Sequence, residues 1–532
     1  MASVADRHDG ARAVDAQGTR LVIFASSLGT VFEWYDFFVY GALAALLGQL
    51  FFPSGNPTAA LLASLATFGA GFGVRPLGAV LFGRLGDRIG RKHTFLVTIS
   101  LMGVATAGVG ALPTFADVGV AAPVLLVALR LLQGLALGGE YGGAAIYVAE
   151  HAPPARRGYQ TSWIQISVVG GFLLSLGVVL AVSHALGAAE FAAWGWRVPF
   201  LLSLVMLAIS LVIRMRLSES PVFKAMKAAG VEAKAPLRET FATAQNRRTM
   251  LVAMIGVAAG LTVIFYTAQF YSFYFLQNAM RLDGDTAKRL TGIATVLGAP
   301  AFLAAGWLSD RVGRRPVMIA GYALTLVALF PAYHWIARAA NPDWSRAAAS
   351  APVIVEGRGC GYDVFAERGQ ATPCARVIDL LSRRGVSYRK IDAPQLAVSV
   401  AGQRIVGEDK AALTAALVRA GYPDKADPAK VDEVGVVLAI LSLVILSGIT
   451  YGPVAAIMVE LFPARIRYTS LSIPYHIGTG YFGGFLPFVT QYIVVKSGDA
   501  FAGLWYTFGV VAVALVVTVL FLPETRGRDV TV

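Results

Sequence analysis

Long apolar stretches separated by short polar gaps run through almost the whole chain. Twelve of them reach the ~20 residues that cross a bilayer core: 21–48, 58–82, 93–113, 119–149, 160–186, 194–216, 249–277, 284–308, 316–338, 433–461, 468–495 and 501–522. Backbone polar groups cannot stay unpaired in lipid, so each stretch is expected to be a helix. Their many glycines fit close helix–helix contact better than helix breakage. Residues 339–432 interrupt the series. There the pattern turns polar and shortens, with strands expected at 352–356, 386–392 and 396–406, the last turning at Gly402. Helices are expected at 375–384, with Val377, Leu380 and Leu381 on one face, and at 411–420. This segment reads as a small α+β module inserted between the ninth and tenth stretches.

Composition agrees. The 532 residues are 56% hydrophobic and only 14% charged, and the mean hydropathy is +0.63. A soluble chain of this length needs more charge to cover its surface. The net charge of +13 does not point to nucleic acid, because the basic residues gather in alternate gaps, as the positive-inside rule requires. Arg84, Arg88, Arg91 and Lys92 follow the second stretch, Arg156 and Arg157 the fourth, Arg311, Arg314 and Arg315 the eighth, and Arg465 and Arg467 the tenth. The gap after the seventh, with Arg281, Lys288 and Arg289, is a mild exception. These basic gaps and both termini are expected in the cytoplasm. The module is expected outside, since long loops cross largely regardless of charge. Residues 1–19 are polar and the first apolar run is too long for a signal-peptide core, so no cleavable signal is expected.

The organisation that follows is a cytoplasmic tail (1–20), a first six-helix bundle (21–216) and a basic cytoplasmic connector (217–248). A second bundle is divided into 249–338 and 433–522 by the periplasmic insertion 339–432, and a cytoplasmic tail (523–532) closes the chain. The two bundles are related by a repeat. Gly83, Asp87, Arg88, Gly90 and Arg91 return at the same spacing as Gly306, Asp310, Arg311, Gly313 and Arg314. Two related halves in a membrane suggest a carrier whose halves rock against each other.

Candidate chemistry lies where polar residues enter apolar stretches. Glu33 and Asp36, three residues apart in the first stretch, share a helix face that Tyr40 continues. A carboxylate at that depth costs about 2.5 kcal/mol or more unless it is protonated, paired or hydrated. One reading is a proton or substrate site facing a water-filled cavity; the other is an ion pair that locks helices. In the fourth stretch Arg130, Gln133, Glu140 and Tyr141 fit a stripe about 100° wide. Arg130 and Glu140 lie about 15 Å apart along the axis, so each needs another partner: a first-stretch carboxylate or an anionic solute for Arg130. In the seventh, Tyr266 and Gln269 share a face suited to hydrogen-bonding a small polar solute. Arg75 is read as snorkelling or pairing near the cytoplasmic end, Arg197 as an interfacial anchor, Arg465 and Arg467 as markers of the inner surface, and His476 as hydrogen-bonded packing. There is no phosphate-binding G-x-x-x-x-G-K-[ST] loop, no G-x-S-x-G and no H-E-x-x-H. Neither ATP drive nor enzymatic catalysis is supported, and no metal or cofactor is expected.

The paired D-R-x-G-R loops resemble the signature of the major facilitator superfamily. The strings E-W-Y-D-F-F-V-Y-G at 33–41, Arg130–Leu131–Leu132–Gln133–Gly134 leading to Gly138–Gly139–Glu140, W-G-W-R-V-P-F at 194–200, and Tyr451–Gly452–Pro453 followed by Glu460–Leu461–Phe462–Pro463 narrow this to the metabolite:proton symporters. The resemblance implies an all-α fold of twelve helices in two bundles, a central site and alternating access. It gives Asp87, and Asp310 with it, a latch role at the inner gate, with Arg88 and Arg91 as basic partners. The expected activity is proton-coupled symport of a small carboxylate or zwitterionic osmolyte. Proton-driven export, or a receptor or redox sensor using the module, are the alternatives. Expected partners are the solute, protons and the lipid bilayer, with no nucleic acid; the sequence leaves the oligomeric state open, and a monomer is compatible with it. Residues 393–409 of the module are similar to the C-terminal half of glutaredoxins, with Ala371 where a first active cysteine would stand. A Cys360–Cys374 disulfide in an oxidising exterior is expected instead.

Overall fold

Helix follows helix in the computed structural model, which describes residues 16–53, 56–89, 91–139, 141–215, 235–363, 366 and 369–530; at 16–26, 83–89, 91–93, 95, 141 and 214 only the backbone is described. Among the described residues, eight helices are long and apolar enough to cross a membrane, and two bent pairs raise this to ten. The stretches expected at 93–113 and 468–495 are helical over Arg91–Ala111 and over Arg467–Ile477, Gly478–Gly484 and Leu486–Ser497, without meeting the same test. Large apolar side chains such as Leu204, Val327 and Val516 face outward, as a helix set in lipid demands.

Local chemistry explains the ends and bends. The second span begins where the Asn56 side chain accepts from the amides of Thr58 and Ala59, with Pro57 at the first helical position. The first span bends by 62° between Ser27–Ala42 and Ala44–Phe51. At that bend the Tyr274 hydroxyl donates to the Gly41 carbonyl at 2.8 Å, a side-chain intrusion that opens the helical ladder. Three π-helical segments, Val252–Ala259, Thr267–Tyr271 and Phe275–Ala279, interrupt the seventh span. Such segments rotate the residues that follow and often mark functional positions.

Each half packs on itself through backbone-close crossings. A Cβ on Gly134 would lie 1.7 Å from the Gly71 carbonyl oxygen, and one on Gly138 2.1 Å from that of Arg75. Only glycine lets the fourth span approach the second so closely. This crossing sets Arg130 and Arg75 on neighbouring helices near the centre.

The segment between the ninth and tenth spans is a four-stranded sheet in the order β2-β1-β3-β4. β1 (Val353–Glu356) runs parallel to β2 (Tyr388–Ile391), joined by the crossover helix Pro373–Arg383. β3 (Ala397–Val400) is antiparallel to β1 and to β4 (Gln403–Val406). Ala401 and Gly402 both take positive φ, as a two-residue hairpin turn requires. Helix Lys410–Arg419 closes the unit against β3 and β4. The module is seated on the second half: the Tyr388 amide donates to the Gly498 carbonyl, and the Ala500 amide to Ser387 Oγ.

Candidate functional site

Arg130 sits at the centre of the first half with none of its surface exposed. Its Nη1 donates to Gln133 Oε1 at 2.6 Å, and Gln133 Nε2 donates to Thr106 Oγ1 at 2.7 Å. The guanidinium carbon lies 4.1 Å from the Phe37 ring centroid, 4.4 Å from that of Tyr40 and 5.3 Å from that of Phe68. Arg130 thus meets the first span through rings, and the cation–π contacts offset part of its desolvation. Nε and Nη2 of Arg130 have no hydrogen-bond partner among the described residues, nor have the Tyr266 hydroxyl and both amide atoms of Gln269. Buried polar groups are otherwise almost always paired.

Tyr266 comes from the other half, within electrostatic reach of both Arg130 and Arg75. Its ring packs 5.7 Å from Phe72 and 6.4 Å from Phe68. Gln269, on the same helix, is fully buried. Arg130 of the fourth span and Tyr266 of the seventh therefore pack on the shared ring of Phe68. Phe37 and Phe38 of the first span, Phe68 and Phe72 of the second and Phe265 and Phe270 of the seventh extend this contact into one aromatic layer between the halves. Glu33 and Asp36 are each 5% exposed, inside the first half. Glu140 and the Tyr141 side chain lie outside the described residues.

Arg75 was expected to snorkel or to pair near the cytoplasmic end. It does not snorkel: it is fully buried, 5.4 Å from the Trp34 ring and 5.1 Å from that of Phe72. It lies within electrostatic reach of His476 and Tyr451 of the second half. An arginine before proline inside an apolar run was the available signal, outweighed by the basic loop that follows.

At the end carrying the repeated motif, ion pairs join the halves. The Asp310 carboxylate accepts from the backbone amides of Gly158 and Tyr159, each at 2.8 Å, at the first turn of helix Arg157–Leu186. A carboxylate there complements both unpaired amides and the helix dipole. Arg314 Nη1 holds Asp310 at 2.6 Å. Glu460 gathers Arg157 at 3.1 Å, Arg314 at 3.2 Å and the Thr525 hydroxyl at 2.8 Å. Its counterpart, Glu150, pairs with Arg467 at 3.2 Å. The two pairs are crossed: each glutamate stands seven residues before an arginine of its own half, and binds the arginine of the other. Arg467 is thus a buried bridge rather than a surface marker. The equal spacing of Glu150–Arg157 and Glu460–Arg467 was the signal in the sequence. Gly313 takes φ +105° between two helices, where L side chains are strained. Arg311 stacks on Trp307 instead of joining the latch. Gly83, Asp87, Arg88, Gly90 and Arg91 lie where side chains are not described.

Arg197 donates to the carbonyls of Gly110 and Leu112 and lies over Trp196. In the module, Cys360 and Cys374 are joined in a disulfide.

Two helical halves with charged residues at their buried centre and ion pairs across one end define a membrane transporter. The sequence profile described as "Sugar (and other) transporter" matches residues 21–244 and 409–531, and that described as "MFS/sugar transport protein" matches 144–362. The chain belongs to this family of major facilitator transporters. Over 513 residues it is 31% identical to the inner membrane metabolite transport protein YhjE of Escherichia coli (strain K12), covering 96% of this chain and 95% of that one. It is 37% identical over 333 residues to the proline/betaine transporter of the same strain, covering 60% of this chain and 65% of that one. For that strain's shikimate transporter the identity is 38% over 316 residues, with 59% and 71% covered. The solved structure of the xylose transporter XylE from E. coli, in a partially occluded inward-open conformation, has the same fold, with TM-score 0.62, 17% identity and 96% and 99% of the two chains covered.

Proposed function

We propose that this chain is a proton-coupled symporter for a small carboxylate or zwitterionic solute, held between Arg130 of one half and Tyr266 and Gln269 of the other. The observation that carries this reading is that Arg130 Nε and Nη2, the Tyr266 hydroxyl and the Gln269 amide are buried with no hydrogen-bond partner among the described residues, while Arg130 and Tyr266 pack on the shared ring of Phe68. A planar guanidinium with two free N–H faces suits a carboxylate. The relatives named for proline/betaine and shikimate transport act on such solutes. Glu33, Asp36 and Glu140 are the proposed proton carriers, because burial favours the neutral form of a carboxyl group. Asp87 and Asp310 are the proposed latch residues of the two repeats. The architecture proposed is twelve helices with the bundle limits 21–216, 249–338 and 433–522, both termini and the connector 217–248 in the cytoplasm, and 339–432 in the periplasm.

All of Arg130, Gln133, Tyr266 and Gln269 are at most 2% exposed, so loading requires the rings of the central layer to part as the halves rock. In proteoliposomes, solute uptake follows an imposed inward proton gradient; uptake indifferent to that gradient removes the symport claim. Unchanged uptake in Glu33→Gln, Asp36→Asn and Glu140→Gln removes the proton site. Deleting residues 345–428 with a short linker retains transport if the module is an accessory and abolishes it if the module is the sensing core of a receptor.

A further inference from the structure

We propose that the Cys360–Cys374 disulfide is a reducible clasp across the module-side mouth of the transporter, opened by thiol–disulfide exchange with a dithiol. Two residues beyond Cys360 stands Tyr362, buried at 1% exposure. Its hydroxyl accepts from Asn56 Nδ2 at 3.4 Å and donates to the Asp379 carboxylate at 2.9 Å. Its carbonyl accepts from Lys496 Nζ at 2.8 Å. Asn56 caps the second span of the first half. Lys496 lies in the last turn of Leu486–Ser497, in the second half. One residue beside the disulfide is thus bonded to both halves.

The same two spans meet below this point, where Tyr481 donates to the Gly73 carbonyl at 3.0 Å and the Phe485 ring covers Gly69. Opening that mouth draws Asn56 away from Lys496, and Tyr362 cannot follow both. Tyr362 is fixed from two sides, by the disulfide and by Asp379. Asp379 belongs to helix Pro373–Arg383, whose first turn carries Cys374. The disulfide therefore ties the bridging residue to the module's crossover helix.

The two sulfurs are not equivalent. Cys360 is partly exposed, whereas Cys374 is 2% exposed at a helix N-terminus. A thiolate of the dithiol attacks Cys360 Sγ and forms a mixed disulfide. Cys374 leaves as a thiolate, the form that a helix N-terminus favours. The second sulfur of the dithiol then attacks its own sulfur in the mixed disulfide, and Cys360 leaves. Two electrons pass to the protein, the dithiol's two protons end on Cys360 and Cys374, and the dithiol becomes a disulfide.

The test uses the full chain in nanodiscs with dithiothreitol as the dithiol. Redox-inert gadolinium labels are carried on genetically encoded side chains at Val120 and Val434, which are 69% and 68% exposed on opposite halves. Dithiothreitol is expected to free two thiols, counted by maleimide mass shift, and to raise a longer-distance population roughly threefold. The Cys360→Ser/Cys374→Ser double variant is expected to show that population before and after dithiothreitol, and Tyr362→Phe to show it without reductant. Free thiols with unchanged distances overturn the proposal. So do a disulfide that dithiothreitol leaves intact, an equal response in the double serine variant, or a Tyr362→Phe variant identical to the parent.

Discussion

At position 130 a guanidinium is held by one side chain and three rings, with two of its nitrogens left over. A hydrogen bond to a charged group is worth about 1.5–3 kcal/mol, and lysine cannot reproduce the planar fork. Arg130→Lys is therefore expected to lower solute uptake about 10–100-fold at unchanged expression, measured as initial uptake rate in cells. Gln269→Leu is expected to weaken apparent solute affinity with little change in thermal stability, because its amide atoms have no hydrogen-bond partner among the described residues. The burial of Arg130, Gln133, Tyr266 and Gln269 was legible in the sequence because each is polar inside an apolar run. Arg75 was not, because its depth depends on how tightly Gly138 draws the fourth span onto the second, which no local pattern encodes.

Among the elements, the helix Arg157–Leu186 begins under a carboxylate supplied by the opposite half. Losing such a cap costs about 0.5–2 kcal/mol. Asp310→Asn should then shift the population toward states open at the latch end, read as faster labelling of a reporter placed there. Glu460→Gln leaves Arg157 and Arg314 buried with one carboxylate fewer; breaking a buried pair costs about 3–5 kcal/mol, so a marked fall in melting temperature in detergent is expected. Glu524 adds a pH dependence. Burial pushes its carboxyl up, but the amides of Arg314, Arg526, Arg315 and Thr525 outweigh this and hold it below the ordinary carboxylate range. A depressed folded-state value stabilises above the unfolded pKa, and this stability is lost as pH falls through the folded one. Acidification below the ordinary range should lower the melting temperature, and Glu524→Gln should flatten that response. The repeated motif was legible as a duplication. The partners of Asp310 were not, since its amides lie about 150 residues away. In the module, the sequence pattern located all four strands and the helices Pro373–Arg383 and Lys410–Arg419 to within a few residues, but not the helix Pro342–Ser350. It did not reveal that β1 and β2 run parallel, a property of the crossover helix between them.

For the whole molecule, the crossed Glu150–Arg467 and Arg157–Glu460 pairs tie one half to the other at a single end. Exchanging the charges tests this: Glu150→Arg alone should destabilise the closed end, and Arg467→Glu on that background should recover much of the loss, read by thermal unfolding. The insertion is a different kind of join. Its entry and exit are neighbours, the Asp432 amide donating to the Ala339 carbonyl at 2.9 Å. Strands leaving and returning at one point impose no stretch on the helices they interrupt. The transporter therefore carries a natural socket: a fluorescent protein or affinity tag with adjoining termini fits this position without prising apart the two spans it joins.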